Sequence, residues 1–523
     1  MSPKQKSSLP VRVIPLIFGV FLVLTVCTVV AVAPFISYAC KVEGQVRAIV
    51  VVLPLSLLIV GFVFLWGRGG GMADAFCDHA RLFRGALLLL VLLLQFSLQY
   101  ACGFMSGWDV EVLTARARGV TDLTAYSGYL SAYPNQLFLF GLFCKIAAVA
   151  TRLNIDPYLL LSISSFVSVD ISILFMTEAC EKRLGTLPSI KFQLIASLFI
   201  GLSPWVMVPY SDTFGLLFVS AIVWSWTCIS RRPLSVFSIA LFTVLGYKVK
   251  PTVVFVTVAI VLLDFVPAAL ALARRSDGDS TSESARSGFA RSGVALVGGI
   301  LLAVFASQYI TGNYVAVNPR VSYGMTHFLA MGVNPEARGV YSEEETRLSS
   351  SIADPAERKR AQIELWRKHL DDLGPAGLLR LMVQKNMTTY ADGTFAWRQE
   401  GTFITKVMGI SPAACRFFGI MIDPLPGKSL GFSSGEVCFR LSMQSIWLAI
   451  LMLGALNSFE WAKAARGCDG HCVRFVSAMA LSLLMLSGFL LVFECRARYL
   501  FLYSLFFVAI AVSDPRSINE GSV

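Results

Sequence analysis

Charge is scarce in this chain: Asp, Glu, Lys and Arg make up 15% of its 523 residues, and it holds only 4 His. So small a charged fraction excludes an intrinsically disordered chain and an ordinary soluble domain. The twelve Cys are scattered, mostly inside apolar runs where a thiol acts as a small hydrophobe, and no pair of metal-binding pairs occurs. Cys468, His471 and Cys472 in GCDGHC cluster without a partner group, which argues against a closed metal centre. Neither a GxxxxGK[ST] phosphate loop nor a GxGxxG fingerprint appears, so a nucleotide site has no support. A cleavable leader is also missing: the basic start at Lys4, Lys6 and Arg12 leads into an apolar run too long for a signal peptide, which reads as a retained first span.

What is present is apolar. Hydrophobic residues make up 56% of the chain, and the mean hydropathy is +0.68. Thirteen apolar stretches follow one another: 13–38, 48–66, 85–104, 137–151, 158–178, 192–208, 213–229, 236–246, 252–272, 294–309, 441–456, 475–493 and 499–512. A bilayer core needs roughly 20 residues of helix per crossing, so the fold class is an all-α polytopic membrane protein. The formal charge of +11 reports topology and not nucleic acid, because Lys and Arg sit in short clusters between apolar runs, as cytoplasmic loops require. The N-terminus, Arg68 with Arg81 and Arg84, Lys182 with Arg183 and Lys191, Arg231 with Arg232, the segment from Arg274, and Lys463 with Arg466 and Arg474 are all expected inside. Thirteen crossings cannot satisfy that list. Leu137 to Thr151, short and carrying Lys145, is the stretch expected to lie as a juxtamembrane helix on the outer side, leaving about twelve spans with both termini inside.

The organisation follows. Residues 1–273 form an N-terminal membrane module with an outer loop at 105–135, and 274–292, rich in Ser and Gly, is expected to be a flexible cytoplasmic linker. A span at 293–310 precedes an extracytoplasmic loop region at 311–440, and 441–523 returns to the membrane. Within the long loop, Ile363, Leu365, Leu370, Leu373, Leu378, Leu379 and Met382 among charges predict one or two amphipathic helices against the membrane domain. Cys415 and Cys438 are the two Cys of that region, and a disulfide and two free thiols are equally compatible with their spacing.

Polar residues gather on the outer side. Asp109, Asp212, the pair Lys248 and Lys250, and the group Glu494, Arg496 and Arg498 all fall at outer turns. Each has a bland reading: Asp109 and Asp212 as helix caps, the bases as snorkelling side chains. Together they can hold an anionic phosphate while leaving a carboxylate to take a proton from a hydroxyl. Asp109, in CGFMSGWDVEVL, is the best candidate base, since an acid at a membrane surface stays ionised at little cost.

The runs WDVEVLTARA, YPNQLFLF, VPYSDTFGLLF, YKVKPT, MTHFLAMGVN, YADGTFAWRQEGTF and ECRARYL, in that order, resemble the C-type (GT-C fold) membrane glycosyltransferases, which include the protein O-mannosyltransferases, the aminoarabinose transferases and bacterial cell-envelope relatives. The resemblance implies a GT-C architecture and an inverting sugar transfer from a polyprenyl-phosphate-linked donor to a glycan, lipid, polymer or protein acceptor on the outer face of the cell membrane. It makes Asp109 the catalytic base, has Asp212 shape the site and points to Lys250 and Arg498 for the donor phosphate; Lys248, His327 and Arg496 are further candidates for donor or substrate binding, without a role fixed by the resemblance. Glu111, Tyr133, Asn135, Asp392, Trp397, Arg398 and Glu494 stand as supporting residues without fixed roles. Where many members carry an acid pair, Val110 separates Asp109 from Glu111 here. No cofactor is required; a divalent cation at the acids is compatible with the family, and the metal is unknown. The rival reading is a transporter or lipid flippase, which calls for ionisable groups at mid-bilayer and symmetry between halves.

Overall fold

The computed structural model describes residues 9–32, 42–66, 76–273, 280–397, 404–421, 434–464 and 470–515. Among them the chain is helical apart from one short strand pair. In chain order the helices are α1 (Leu9–Val32), α2 (Val42–Leu65), α3 (Ala80–Cys102), the short α4 (Trp108–Leu113) and α5 (Ser127–Ala132), α6 (Leu137–Arg152) and α7 (Pro157–Leu184). Next come α8 (Thr186–Ala196, closed by a π turn at Ser197–Gly201), α9 (Ser211–Cys228), α10 (Arg232–Val249), α11 (Val254–Ile260) running through a π turn into α12 (Val266–Ala273), and α13 (Ser280–Thr311). The long loop contributes α14 (Gly324–Gly332), α15 (Glu343–Ser351), α16 (Pro355–Tyr390) and α17 (Pro412–Phe417). The chain closes with α18 (Ser434–Ala464), α19 (Gly470–Val492), and a 3-10 stretch Ala497–Tyr503 leading into α20 (Ser504–Val512).

Nine segments among the described residues are long and apolar enough to cross a membrane, and three shorter apolar helices accompany them. Their lipid-facing sides are rich in exposed Leu, Val and Phe, as for Leu58, Leu89, Val294 and Phe305. The inner faces are held by aromatic packing, for example Trp447 against Phe395 at 5.5 Å and Phe507 at 5.1 Å. This all-α polytopic membrane architecture is the one expected from composition.

Contacts between helix ends give the path of the chain. At one end of the bundle, Arg84 near the start of α3 pairs with Glu181 near the end of α7 at 2.5 Å. At the same end Lys191 of α8 reaches Val63 O of α2 at 3.0 Å, and Trp461 of α18 donates to Ser513 O beyond α20 at 2.8 Å. The opposite end gathers the first loop, the 202–212 turn, the end of α10 and the start of the 3-10 stretch. Helix α6 is one of the nine segments long enough to cross, yet both its ends lie there. Gln136, just before it, donates to the Tyr210 hydroxyl at 3.2 Å. Tyr158, just after it, lies under Arg118, 5.6 Å from the ring centroid. Setting α6 aside, the other eleven of these apolar segments together with α9 run between the two ends among the described residues, with α1 beginning and α20 finishing at the same far end.

One element departs from the sequence reading. The segment at 274–292 is not a long linker: 274–279 lie outside the described residues, and from Ser280 the chain is already in α13. Ser, Glu, Ala and Arg all tolerate a helix, so nothing there stops α13 from extending towards its N-terminus. In the long loop, α16 is two helices merged across a kink at Gly374 (φ 56°), followed by Pro375. Proline lacks the N–H and clashes with the preceding turn, and glycine takes the left-handed bend without a Cβ penalty. Beyond the kink the helix dives inward, with Leu381, Lys385, Thr389 and Tyr390 buried. Its Lys385 Nζ donates to Gly332 O at 2.5 Å and Phe493 O at 2.7 Å, docking the loop on the end of α19.

Candidate functional site

The first loop is clamped before it reaches its acid. Residues Phe104–Ser106 (β1) pair antiparallel with Ile404–Val407 (β2) of the long loop. Arg118 fastens the same point, with Nη2 on Ser106 O, Nη1 on Thr405 Oγ1 at 3.1 Å and Nε on Thr114 Oγ1 at 2.9 Å. Beyond Gly107, Trp108 adopts φ 47°, a left-handed conformation rare for a bulky side chain. That turn starts α4 and sets Asp109 on its first turn, half-buried, while Glu111 is exposed.

Hydroxyl groups surround Asp109. Tyr210 Oη donates to Asp109 Oδ2 at 2.8 Å and accepts from Gln136 Nε2 at 3.2 Å. The Tyr129 hydroxyl lies near enough to feel the Asp109 charge. Burial first, and then the Asp109 charge, hold both phenols well above their ordinary pKa, so they stay protonated as donors. Tyr133 is raised in the same way, by burial and then by Tyr323, Asp109, Tyr341 and Glu494.

A second cluster adjoins the first. Asp212, 2% exposed on the first turn of α9, pairs with Lys250 Nζ through Oδ1 and faces Arg498 Nε through Oδ2 at 3.5 Å. Lys250 owes its placement to Pro251, which forces the residue before it out of the helix into an extended conformation (φ −154°, ψ 116°). The Arg498 guanidinium lies 4.2 Å from the Trp108 ring centroid and 4.7 Å from that of Tyr210, and Lys250 Nζ lies 4.5 Å from the ring of Tyr499. Tyr210 therefore joins the two clusters, its hydroxyl on Asp109 and its ring face towards Arg498. At Asp212 two basic side chains converge on one buried carboxylate, and Lys and Arg are the groups that bind phosphate.

The other expected residues divide. Glu494 and Arg496 pair at 2.7 Å, Arg496 stands 6.0 Å from the Tyr341 ring, and Tyr133 feels the charges of both Asp109 and Glu494. Lys248 and Asn135 are exposed, and no described contact brings either to the acids. His327 is buried behind Tyr323: it is 1% exposed, shares a 2.9 Å hydrogen bond with Ser349 Oγ, and burial lowers its pKa to about 4, so it carries no charge at neutral pH. Asp392 is a turn cap, accepting from Thr394 N at 2.8 Å and Thr394 Oγ1 at 2.6 Å. Trp397 donates to Phe418 O at 2.6 Å and packs on Trp205 at 5.2 Å, forming wall and not ligand. Arg398 lies outside the described residues. The Cys415 and Cys438 thiols are free; Cys415 is buried against Ala101 O and Cys438 is exposed.

A divalent cation does not fit Asp212, because each of its oxygens already faces a basic group. Among the described residues no three His, Cys, Asp or Glu side chains converge as ligands. Sequence reasoning missed Tyr210, Tyr129, Gln136 and Arg118, although Tyr210 and Gln136 stand inside the quoted runs VPYSDTFGLLF and YPNQLFLF. Nothing in one sequence distinguishes a tyrosine whose hydroxyl meets an acid from one that only packs.

The chain belongs to a family described as conserved hypothetical integral membrane protein, whose model matches residues 8–517. No curated protein matches the chain, and no solved structure does.

Proposed function

We propose that this member of an integral membrane family is a glycosyltransferase of the GT-C type, moving a sugar from a polyprenyl-phosphate-linked donor to a cell-envelope acceptor. One observation carries the reading: Asp109, bonded by the neutral Tyr210 phenol, adjoins the Lys250, Arg498 and Asp212 cluster through the rings of Tyr210 and Trp108. A proton acceptor beside an anion site is what transfer from a phosphate-linked lipid needs.

In the proposed step an acceptor hydroxyl loses its proton to Asp109 as its oxygen bonds the anomeric carbon. The bond from that carbon to the phosphate oxygen breaks, and the electron pair leaves with the polyprenyl phosphate. Lys250 and Arg498 neutralise the leaving anion, and attack opposite to departure inverts the anomeric centre. Asp212 holds the two cations together before the phosphate arrives.

Charge distribution supports the outer face as the site's location. Arg81, Arg84, Lys182, Arg183, Arg231, Arg232, Lys463 and Arg474 lie near helix ends at the end of the bundle away from Asp109, and basic ends face the cytoplasm. The rival reading, a transporter or flippase, rests on one observation, the buried acid Asp170 inside α7. The deciding experiment reconstitutes the purified protein in liposomes with a sugar-labelled polyprenyl phosphate and an envelope fraction from the host. Transfer of label with release of polyprenyl phosphate is expected; movement of intact donor between leaflets without release would replace the transferase with the flippase.

A further inference from the structure

Deep between α3, α7 and the π turn of α8, two polar side chains meet far from the Asp109 cluster. Gln95 is 1% exposed and Asp170 5% exposed. Both N–H groups of the Gln95 amide are used: Nε2 donates to Asp170 Oδ1 at 3.0 Å and to Gly201 O at 2.8 Å. Two buried oxygens remain without a hydrogen-bond partner, Asp170 Oδ2 and Gln95 Oε1. Ionised, Asp170 would leave two buried acceptors unsatisfied, one of them charged, inside the helix bundle.

Among the described residues no ion pair joins a basic group to Asp170. Gln95 is the polar group that acts on Asp170. The bases on the surrounding helices are engaged elsewhere: Arg84 with Glu181, Lys191 with Val63 O, Lys145 against the Tyr309 ring, Arg474 with Asp264 and Lys250 with Asp212. An isolated buried carboxylate is costly, whereas the neutral acid brings a donor of its own.

We propose that Asp170 and Gln95 form a closed carboxylic acid–carboxamide pair, a proton-binding site inside the helix bundle in which Asp170 Oδ2–H donates to Gln95 Oε1. Each partner then gives one hydrogen bond and accepts one, and the two orphan oxygens of the pair satisfy each other. The second Gln95 N–H holds the Gly201 carbonyl at the end of the widened turn, so one proton ties three helices together below the first loop. The pair carries no net charge, which takes from the transport reading the charge it relies on. Nothing in this proposal depends on the transferase reading.

Difference infrared spectroscopy of wild type against Asp170→Asn, both purified at neutral pH, reads the proton directly. The expected result is the carbonyl stretch of a protonated carboxylic acid, present in wild type and lost in the variant; carboxylate bands in its place would overturn the proposal. Asp170→Asn rebuilds the same two-bond ring with an amide, so its melting temperature should match wild type. Asp170→Leu orphans the Gln95 amide and should melt lower. An Asn variant melting well above wild type would show that a buried charge had been removed, and the neutral pair would fall. If the Asn protein does not fold, wild type grown with carboxyl-labelled aspartate gives the same reading through the isotope shift of that band.

Discussion

Replacing Asp109 with Asn separates the two roles that a carboxylate on the first turn of α4 can have. The amide keeps the shape, and its oxygen still accepts from Tyr210 Oη, now 2.8 Å from the carboxylate. A hydrogen bond to a charged acceptor contributes about 1.5–3 kcal/mol and a neutral one about 0.5–1.5 kcal/mol, so the fold should lose about 1 kcal/mol at this bond. Phenols held protonated by burial and by Asp109 itself do not need the charge to stay neutral. Stability therefore changes little. Chemistry should change far more, because loss of a general base costs about 100-fold to 10,000-fold in rate, equivalent to about 2.7–5.5 kcal/mol of barrier. The assay is single-turnover transfer from saturating labelled donor in proteoliposomes, with donor binding and melting temperature measured on the same preparations. Tyr210→Phe keeps the ring near Arg498 and removes only the hydroxyl, so its loss of rate should be smaller, with donor binding intact. Turnover by Asp109→Asn within a few-fold of wild type would refute the assignment of the base, whatever the donor proves to be.

Lys250→Ala and Arg498→Ala should each weaken donor binding, and Arg498→Lys should restore it only in part, because a point charge lacks the planar fork between Trp108 and Tyr210; equilibrium binding of the lipid phosphate checks this. His327 titrates near 4 when folded against 6.5 as a free side chain, a depressed value, so its contribution is fully present above pH 6.5 and is lost as pH falls from there towards 4; melting curves across that range should flatten in His327→Gln. Gly332→Ala should destabilise the docking of the long loop by about 1–3 kcal/mol, since a Cβ would stand 2.2 Å from Val492 O, a backbone atom with no room to move; limited proteolysis of 312–397 reports it. In a background without native cysteines, Glu111→Cys, Asn154→Cys and Glu343→Cys should label from outside intact cells and Arg231→Cys only after permeabilisation; labelling of Asn154→Cys only from inside would make α6 a crossing helix.

The class of the molecule and the chain's rhythm are legible without coordinates, because a bilayer leaves helix the main way to satisfy a buried backbone and so writes itself into runs of apolar residues. The thirteen stretches match the apolar helices, and the parity of Arg and Lys clusters singled out Leu137 to Thr151, whose two ends the structure brings to one end of the bundle. The pairing of acids with bases was within reach as well, since Asp212, Lys250 and Arg498 all fall at turns on one side. What the sequence could not decide is which polar side chain faces which. His327 and Asp392 stand beside Asp109 among the candidates on paper, yet one is bonded to Ser349 and the other caps its own turn. Arg118 and Tyr210 read as ordinary loop residues, yet one clamps the acid's loop and the other joins its two clusters. Asp170 was hidden inside an apolar run, and its amide partner lies 75 residues away on another helix. Periodicity and hydropathy act over neighbours in sequence, whereas a hydrogen bond within 3.5 Å is set by how distant helices pack, and only the folded chain holds that information.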